Sequence, residues 1–325
     1  MHAKFTRRQL GLATVCVVIG AQASGSSATD LPVVNAGTLS LPVLNPILMN
    51  IIKERGFDTK NEFALKMTPY SSISGMYAGL ATGEVDTIMG GPTVIQKLSL
   101  DGVPLRIVAT GLRPSDLMIL TRTSSFRSVS DLRGKELAAD MGTQQYQMVS
   151  MCAKHQGLSL GAEVTVVNAN FALARSMLES DRVDAAMVIE PLATIMLSKD
   201  SSLHIIFDGK QAWKQMTGFD GWELVCVMRA DAVSRVPNSP KRLMGALQDA
   251  ANFVRNDVDA ADAIASKTTG LPPGVLKAAV RANRWELDVR PAWGPERTVI
   301  WDMFERAVQS GFLPKIPDPQ IIYTP

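Results

Sequence analysis

LATGEVDTIMGGP (80–92) and LESDRVDAAMVIEP (178–191) carry one pattern ninety-eight positions apart: Leu80, Val85, Asp86 and Met89 recur as Leu178, Val183, Asp184 and Met187. In each copy a helix ends, a short polar turn delivers Val-Asp into an apolar strand, and a Pro-led helix follows at Pro92 or Pro191. The repeat implies two half-similar α/β lobes. Each would place a helix N-terminus at the C-terminal end of a strand, where open parallel sheets bind ligands. Two such lobes facing each other make a cleft. Asp86 and Asp184 occupy matching places in separate lobes, so they read as residues that fix the turn before each strand and not as a catalytic pair.

Working outward, the first residues place Lys4, Arg7 and Arg8 ahead of an uncharged apolar run from Leu10 to Ala21, followed by small residues. This is the pattern of an export signal spanning residues 1–28, with cleavage expected after Ala23 or Ala28. Thr6-Arg7-Arg8-Gln9-Leu10 is similar to a twin-arginine signal; Gly11 leaves the general secretory route open. Cys16 sits inside the apolar run, which argues against a lipid attachment site. Removing Lys4, Arg7 and Arg8 from 33 basic residues leaves 30 against 31 acidic, a net charge of −1. Phosphate-backbone affinity needs a clustered cationic excess, so nucleic acid is not an expected partner. Cys152 and Cys226 are read as buried free thiols, because sequence alone supplies no close Cα spacing for a bridge.

From Leu31 onward, short apolar strands alternate with amphipathic helices, the α/β signature of mostly parallel sheets. Residues 32–36 read as a first strand and GTLSLP (37–42) as a loop. Val43, Leu44, Ile47, Leu48, Ile51 and Ile52 form one helical face that stops at Gly56. A strand near Phe63–Met67, a helix through Met76 and Leu80, the Val85–Met89 strand, a helix from Pro92 and the strand Leu105–Ala109 complete one lobe. Strand Glu136–Ala139, a helix from Thr143 to Gly157, strand Glu163–Val167, a helix to Leu178, strand Val183–Ile189, a helix from Pro191 and strand Leu203–Phe207 replay that order. A strand Trp222–Val227 crosses back, and helices are expected from Ser239-Pro240 and around 260–266, 273–282 and 296–309. The expected domains are residues 29–112 plus 222–325 as lobe I and 113–221 as lobe II. Two linker strands, near 110–121 and 219–230, would form a hinge.

SVSDLRGKELAADMGTQ (128–144), MLESDRVDAAMVIEP (177–191) and LATGEVDTIMGGP (80–92) resemble the periplasmic substrate-binding proteins of the sulfonate, nitrate and taurine class, the NMT1/thiamine-pyrimidine-synthase-like family. The order of elements agrees from about Leu31 to Phe312. The resemblance implies a type II periplasmic-binding-protein clamshell, a monomer holding one small molecule in its cleft: a sulfonate, taurine, nitrate or a similar small organic compound. It implies delivery of that molecule to an ABC transporter permease with its ATPase, and neither a cofactor nor catalysis. The alternative is a ligand-presenting partner of a membrane chemoreceptor or sensor kinase.

Carried onto this sequence, the family's ligand-contacting loops fall on Thr38 and Ser40, Ser72 and Ser74, Gly91 and Thr93, Gly142, Thr143 and Gln144, Asn170, and Glu190, with Trp222 closing over an apolar part of the ligand. Free N–H groups at helix starts and Ser/Thr hydroxyls suit polar heteroatoms. Each residue also has a plainer reading. Ser72, Thr143, Asn168 and Asn170 are ordinary helix caps, Glu190 favours a helix dipole, Trp222 fits a core, and Met148, Met151 and Cys152 form a packing face. Arg113 is the nearest candidate cation. The loops themselves contain no Arg or Lys, which weakens a strongly anionic ligand and leaves an uncharged heteroaromatic or amide-like one open. Downstream of the signal the histidines are His155 and His204, and no H-E-x-x-H, G-x-S-x-G or Walker pattern is present.

Overall fold

The computed structural model describes residues 31–325, so the export signal expected over residues 1–28, with Cys16, lies outside the described residues. The strands are β1 (Val33–Leu39), β2 (Ala64–Tyr70), β3 (Thr87–Gly90), β4 (Leu105–Leu112), β5 (Leu117–Thr121), β6 (Glu136–Ala139), β7 (Thr165–Asn168), β8 (Ala185–Ile189), β9 (His204–Asp208) and β10 (Leu224–Arg229). They form two five-stranded sheets of identical plan, β2-β1-β3-β10-β4 and β7-β6-β8-β5-β9. β1 runs parallel to β2 and β3, and β6 parallel to β7 and β8. Each sheet has an antiparallel strand supplied by the chain as it arrives from the other: β5 directly follows β4, and β10 follows β9. The chain therefore crosses between sheets at Arg113–Asp116 and again between Gly218 and Glu223.

The repeat is the turn that enters the third strand of each sheet. Asp86 Oδ2 accepts the Asn35 N–H at 2.8 Å, and Asp184 Oδ2 accepts the Glu136 N–H at 2.9 Å. The Asp86 and Asp184 N–H groups return bonds to the same two residues, at 2.8 and 3.1 Å. Each aspartate thus locks the start of one strand to its neighbour. The symmetry extends to a pair that the periodicity did not single out. β5 pairs Ile119 with Met187, and β10 pairs Cys226 with Met89. Since Met89 and Met187 are repeat partners, D-L-M-I-L-T-R (116–122) corresponds to E-L-V-C-V-M-R (223–229). The closing arginines do one job: Arg122 donates to the Leu178 carbonyl at 2.7 Å and Arg229 to the Leu80 carbonyl at 3.0 Å, satisfying the last turn of the helix before each repeat.

Packing follows the apolar patterns. The helix Leu44–Glu54 buries Leu44, Ile47, Leu48, Ile51 and Ile52 and gives way to Gly56, whose φ of +65° suits a residue without a Cβ. Full burial of each such side chain contributes roughly 1.5–3 kcal/mol. Cys152 and Cys226 are buried and free. Three differences from the sequence reading have local causes. Gly37–Leu39 continue β1 because β2 pairs with it as far as Leu39 opposite Tyr70. The returning strand begins at Leu224, two residues late, because Trp222 is fully buried in the crossover beneath Arg113. A helix at Gly209–Thr217, unanticipated in the sequence, is started by Asp208, whose carboxylate accepts the Gln211 N–H at 2.8 Å.

Candidate functional site

A cavity of about 50 Å³, opening onto a wider mouth, lies between the sheets at the C-terminal ends of β1, β3 and β8. Its walls are mainly apolar, with Leu39, Val43, Leu44, Ile73, Met76, Met89, Ile189 and Leu224 contributing. The polar lining is Asn45, Tyr77, Asp116, Thr143, Gln144, Gln145, Glu190 and Glu223, with no Lys, Arg or His.

Thr143 caps the helix Gln144–His155 by accepting the Tyr146 N–H at 3.3 Å, which aims the first residues of that helix across the cleft. Gln144 then bridges the lobes. Its Oε1 accepts from the Thr93 N–H at 2.7 Å and the Thr93 hydroxyl at 3.1 Å, while its Nε2 donates to the carbonyls of Trp222 at 2.9 Å and Glu223 at 3.0 Å. Gly91 permits this approach, since a Cβ there would stand 2.6 Å from Gln144 Cβ. A second bridge closes the other side: Glu190 accepts from Arg284 Nε at 2.6 Å and from the Thr194 N–H and hydroxyl at 3.1 and 2.9 Å.

Of the residues named from sequence, Thr143, Gln144 and Glu190 line the cavity, and Gly91 and Thr93 meet Gln144 at its edge. The others stand elsewhere for identifiable reasons. Leu39 lines the cavity, whereas Thr38, which is buried, and Ser40, which is exposed, line a separate groove with Pro69 and Thr268 that Leu39 also borders. Ser72 caps its helix by accepting the Gly75 N–H at 3.1 Å, and Ser74 is exposed beside it, leaving Ile73 to face the cavity. Gly142 is exposed, its N–H on Asp140 Oδ1 at 3.2 Å. Asn170 caps the next helix by accepting the Leu173 N–H at 2.9 Å. Trp222 is core: Arg113 stacks 3.3 Å from its ring centroid, and its indole N–H donates to Glu296 Oε2 at 3.1 Å. Arg113 in turn donates to Asp288 at 2.8 Å, so this candidate cation pins the crossovers and does not reach the cavity lining.

The site residues that sequence reasoning missed are Asn45, Tyr77, Asp116 and Glu223. Asp116 and Glu223 are the equivalent residues that open β5 and β10, and the [Asp/Glu]-Leu-…-Arg match between 116–122 and 223–229 was the available signal. Glu223 Oε1 accepts from Gln145 Nε2 at 2.6 Å, and burial raises this carboxyl well above the usual 4.5. Burial, reinforced by the nearby Glu223, also pushes the Tyr77 phenol up to about 12, although its oxygen accepts the Gly91 N–H at 2.8 Å.

The fold is that of periplasmic binding proteins. The periplasmic aliphatic sulphonate binding protein SsuA of Escherichia coli superposes with a TM-score of 0.75 at 18% identity, covering 90% of this chain and 92% of its own. The alkanesulfonate-binding protein SsuA of Xanthomonas axonopodis pv. citri, bound to MOPS, gives 0.75 at 17% identity over 91% and 99%. The periplasmic nitrate-binding protein NrtA of Synechocystis PCC 6803 gives 0.70 at 16% identity over 90% and 84%. No curated protein matches the sequence. The NMT1/THI5 like family model matches residues 45–261, two thirds of the chain, and the protein belongs to that family.

Proposed function

We propose that the protein is an exported, non-enzymatic solute receptor that captures a small molecule between its lobes and delivers it to the permease of an ABC importer. The observation that carries this reading is the cavity between two like-built sheets, bridged at one edge by Gln144 and Thr93 and at the other by Glu190 and Arg284. Such bridges form only when the lobes approach, so ligand affinity is coupled to closure and the closed form is what a permease reads. In this reading residues 31–112 and 222–325 form one lobe and 113–221 the other, turning about the two crossovers. The periplasmic and transport assignments draw support from the relatives of the same fold.

Deletion of the gene tests this. Loss of uptake of a solute that the purified protein binds supports the receptor; intact uptake with loss of a tactic or kinase response to that solute shifts the assignment to a sensor partner. Small-angle scattering supplies an independent check, because saturation with a bound solute should reduce the radius of gyration.

A further inference from the structure

We infer that the cavity recognises a small cationic nitrogen base, an ammonium or amidinium group on an apolar body, and that Asp116 and Glu223 are its principal polar contacts. This rests on the receptor reading of the same cavity. Three buried oxygens of lining residues, Asn45 Oδ1, Asp116 Oδ1 and Glu223 Oε2, accept no hydrogen bond from the described residues. Their residues are only 3%, 2% and 1% exposed, so bulk water does not relieve them. Buried polar atoms are nearly always satisfied, and an acceptor left over at a ligand cavity asks for a donor from the ligand.

The sign of the ligand follows from what the lining lacks. No Lys, Arg or His lines the cavity. The adjacent Arg284 is committed to Glu190 and, at 2.8 Å, to the Thr194 hydroxyl. A sulfonate or nitrate would bring more acceptors to a place that already has unpaired ones, whereas a cationic head can take the place of the proton that burial keeps on Glu223 in the empty cavity, that proton leaving to solvent as the cation binds. An ammonium carries three N–H donors and no acceptor, and an amidinium is likewise a donor-only head. Among the described residues no group of three or more His, Cys, Asp or Glu is placed to hold a metal ion, so an inorganic cation is the poorer fit. The remaining wall is aliphatic, with Met76 and Met89 adaptable in shape, and suits a hydrocarbon or aromatic body.

The placement also explains why these acids are duplicated. Asp116 ends the first crossover and Glu223 ends the second, at symmetry-equivalent positions. A donor-rich ligand touching both would tie the two crossovers together from inside the cleft.

Calorimetry on the mature protein with three pairs matched in their hydrocarbon body tests the inference: benzylamine against phenylmethanesulfonate, 2-phenylethylamine against 2-phenylethanesulfonate, and benzamidine against benzenesulfonate. At least one cation should bind about tenfold or more tightly than the sulfonate paired with it, the scale of a charge-assisted hydrogen bond. That preference should fall by about tenfold in Glu223→Gln and in Asp116→Asn, each checked for native circular dichroism. The two variants are independent, so failure of one to fold leaves the other to decide. Sulfonate binding equal to or tighter than the cations, no cation binding at millimolar concentration, or a preference unmoved in a folded variant would each overturn the ligand class. Sulfonate binding with lobe closure would leave the receptor reading standing, whereas that reading fails separately if gene deletion leaves all solute uptake intact.

Discussion

Gln144 Oε1 accepts the backbone N–H of Thr93 at 2.7 Å, joining the first turn of a helix in one lobe to the first turn of a helix in the other. Both helix starts were read from sequence as ligand-contacting loops; in the structure they stand at the cavity and face each other. A donor that its own helix cannot satisfy is met by a side chain that is in place only when the lobes are together.

Gln144→Ala should therefore open the lobes. The substitution removes two accepted and two donated bonds, and Gly91→Val should act in the same direction because a side chain at 91 collides with Gln144 Cβ. The expected result is a larger radius of gyration by small-angle scattering for both variants, with a loss of about 2 kcal/mol or less in global stability, since each lobe keeps its own core. Scattering curves identical to those of the parent would refute this role.

Arg113→Ala should be costly although the residue lies outside the cavity. Its guanidinium stacks on Trp222 and is paired with Asp288, and its side chain is 8% exposed. Loss of the stack and of a nearly buried pair should lower the unfolding free energy by about 2–4 kcal/mol, read from urea midpoints. Arg113→Lys should restore only part of it, because an ammonium lacks the planar face and the fork.

Stability should fall as pH rises above about 4.5 through the contribution of Glu223, whose carboxyl burial holds well above its ordinary value. In that range the unfolded chain releases this proton while the folded one keeps it, so the folded state binds more protons and the slope of stability with pH is negative. Glu223→Gln should flatten this slope and raise the melting temperature at neutral pH. Melting curves of both proteins between about pH 5 and 8 would show it, and parallel curves would contradict it.

Cys152 and Cys226 should resist a thiol reagent in the folded protein. Burial pushes both thiols up to about 12, so almost no thiolate exists at pH 8, and neither sulfur is reachable. Ellman's reagent should label neither in buffer and both in denaturant. Rapid labelling of the native protein would mean that the lobes open their cores.

Much of the fold was written in local signals. Pro92 and Ser239-Pro240 mark helix starts, Gly56 and Gly83 mark stops, and the Val-Asp turn marks entry to a central strand; each depends on neighbours within a few residues. The paired aspartates bond to the preceding strand in both lobes, so the repeat was a structural frame. Thr143 and Gln144 were found for the same reason, as the capped start of a helix after a strand.

What only the tertiary structure decided is which side chains meet. Ser40 and Thr38 stand in a stretch that looks like a ligand loop, but β1 stays paired with β2 through Leu39, which leaves Thr38 buried beside a separate groove, Ser40 exposed, and Leu39 at the cavity wall. Trp222 has the look of a stacking residue and is a core residue, because Arg113 arrives from the other crossover to cover it. Asp116 and Glu223 lie 107 positions apart, each just ahead of a strand that changes sheets; the likeness of 116–122 to 223–229 marks them as equivalent, but only the crossing of both strands brings the two carboxyl groups beside one cavity. The sequence by itself determined the lobes, their order and the helix starts that face the cleft, since those follow from short-range periodicity and capping. The exchange of β5 and β10 between sheets determined the chemistry inside it, since burial and pairing are set by whatever the returning chain brings alongside.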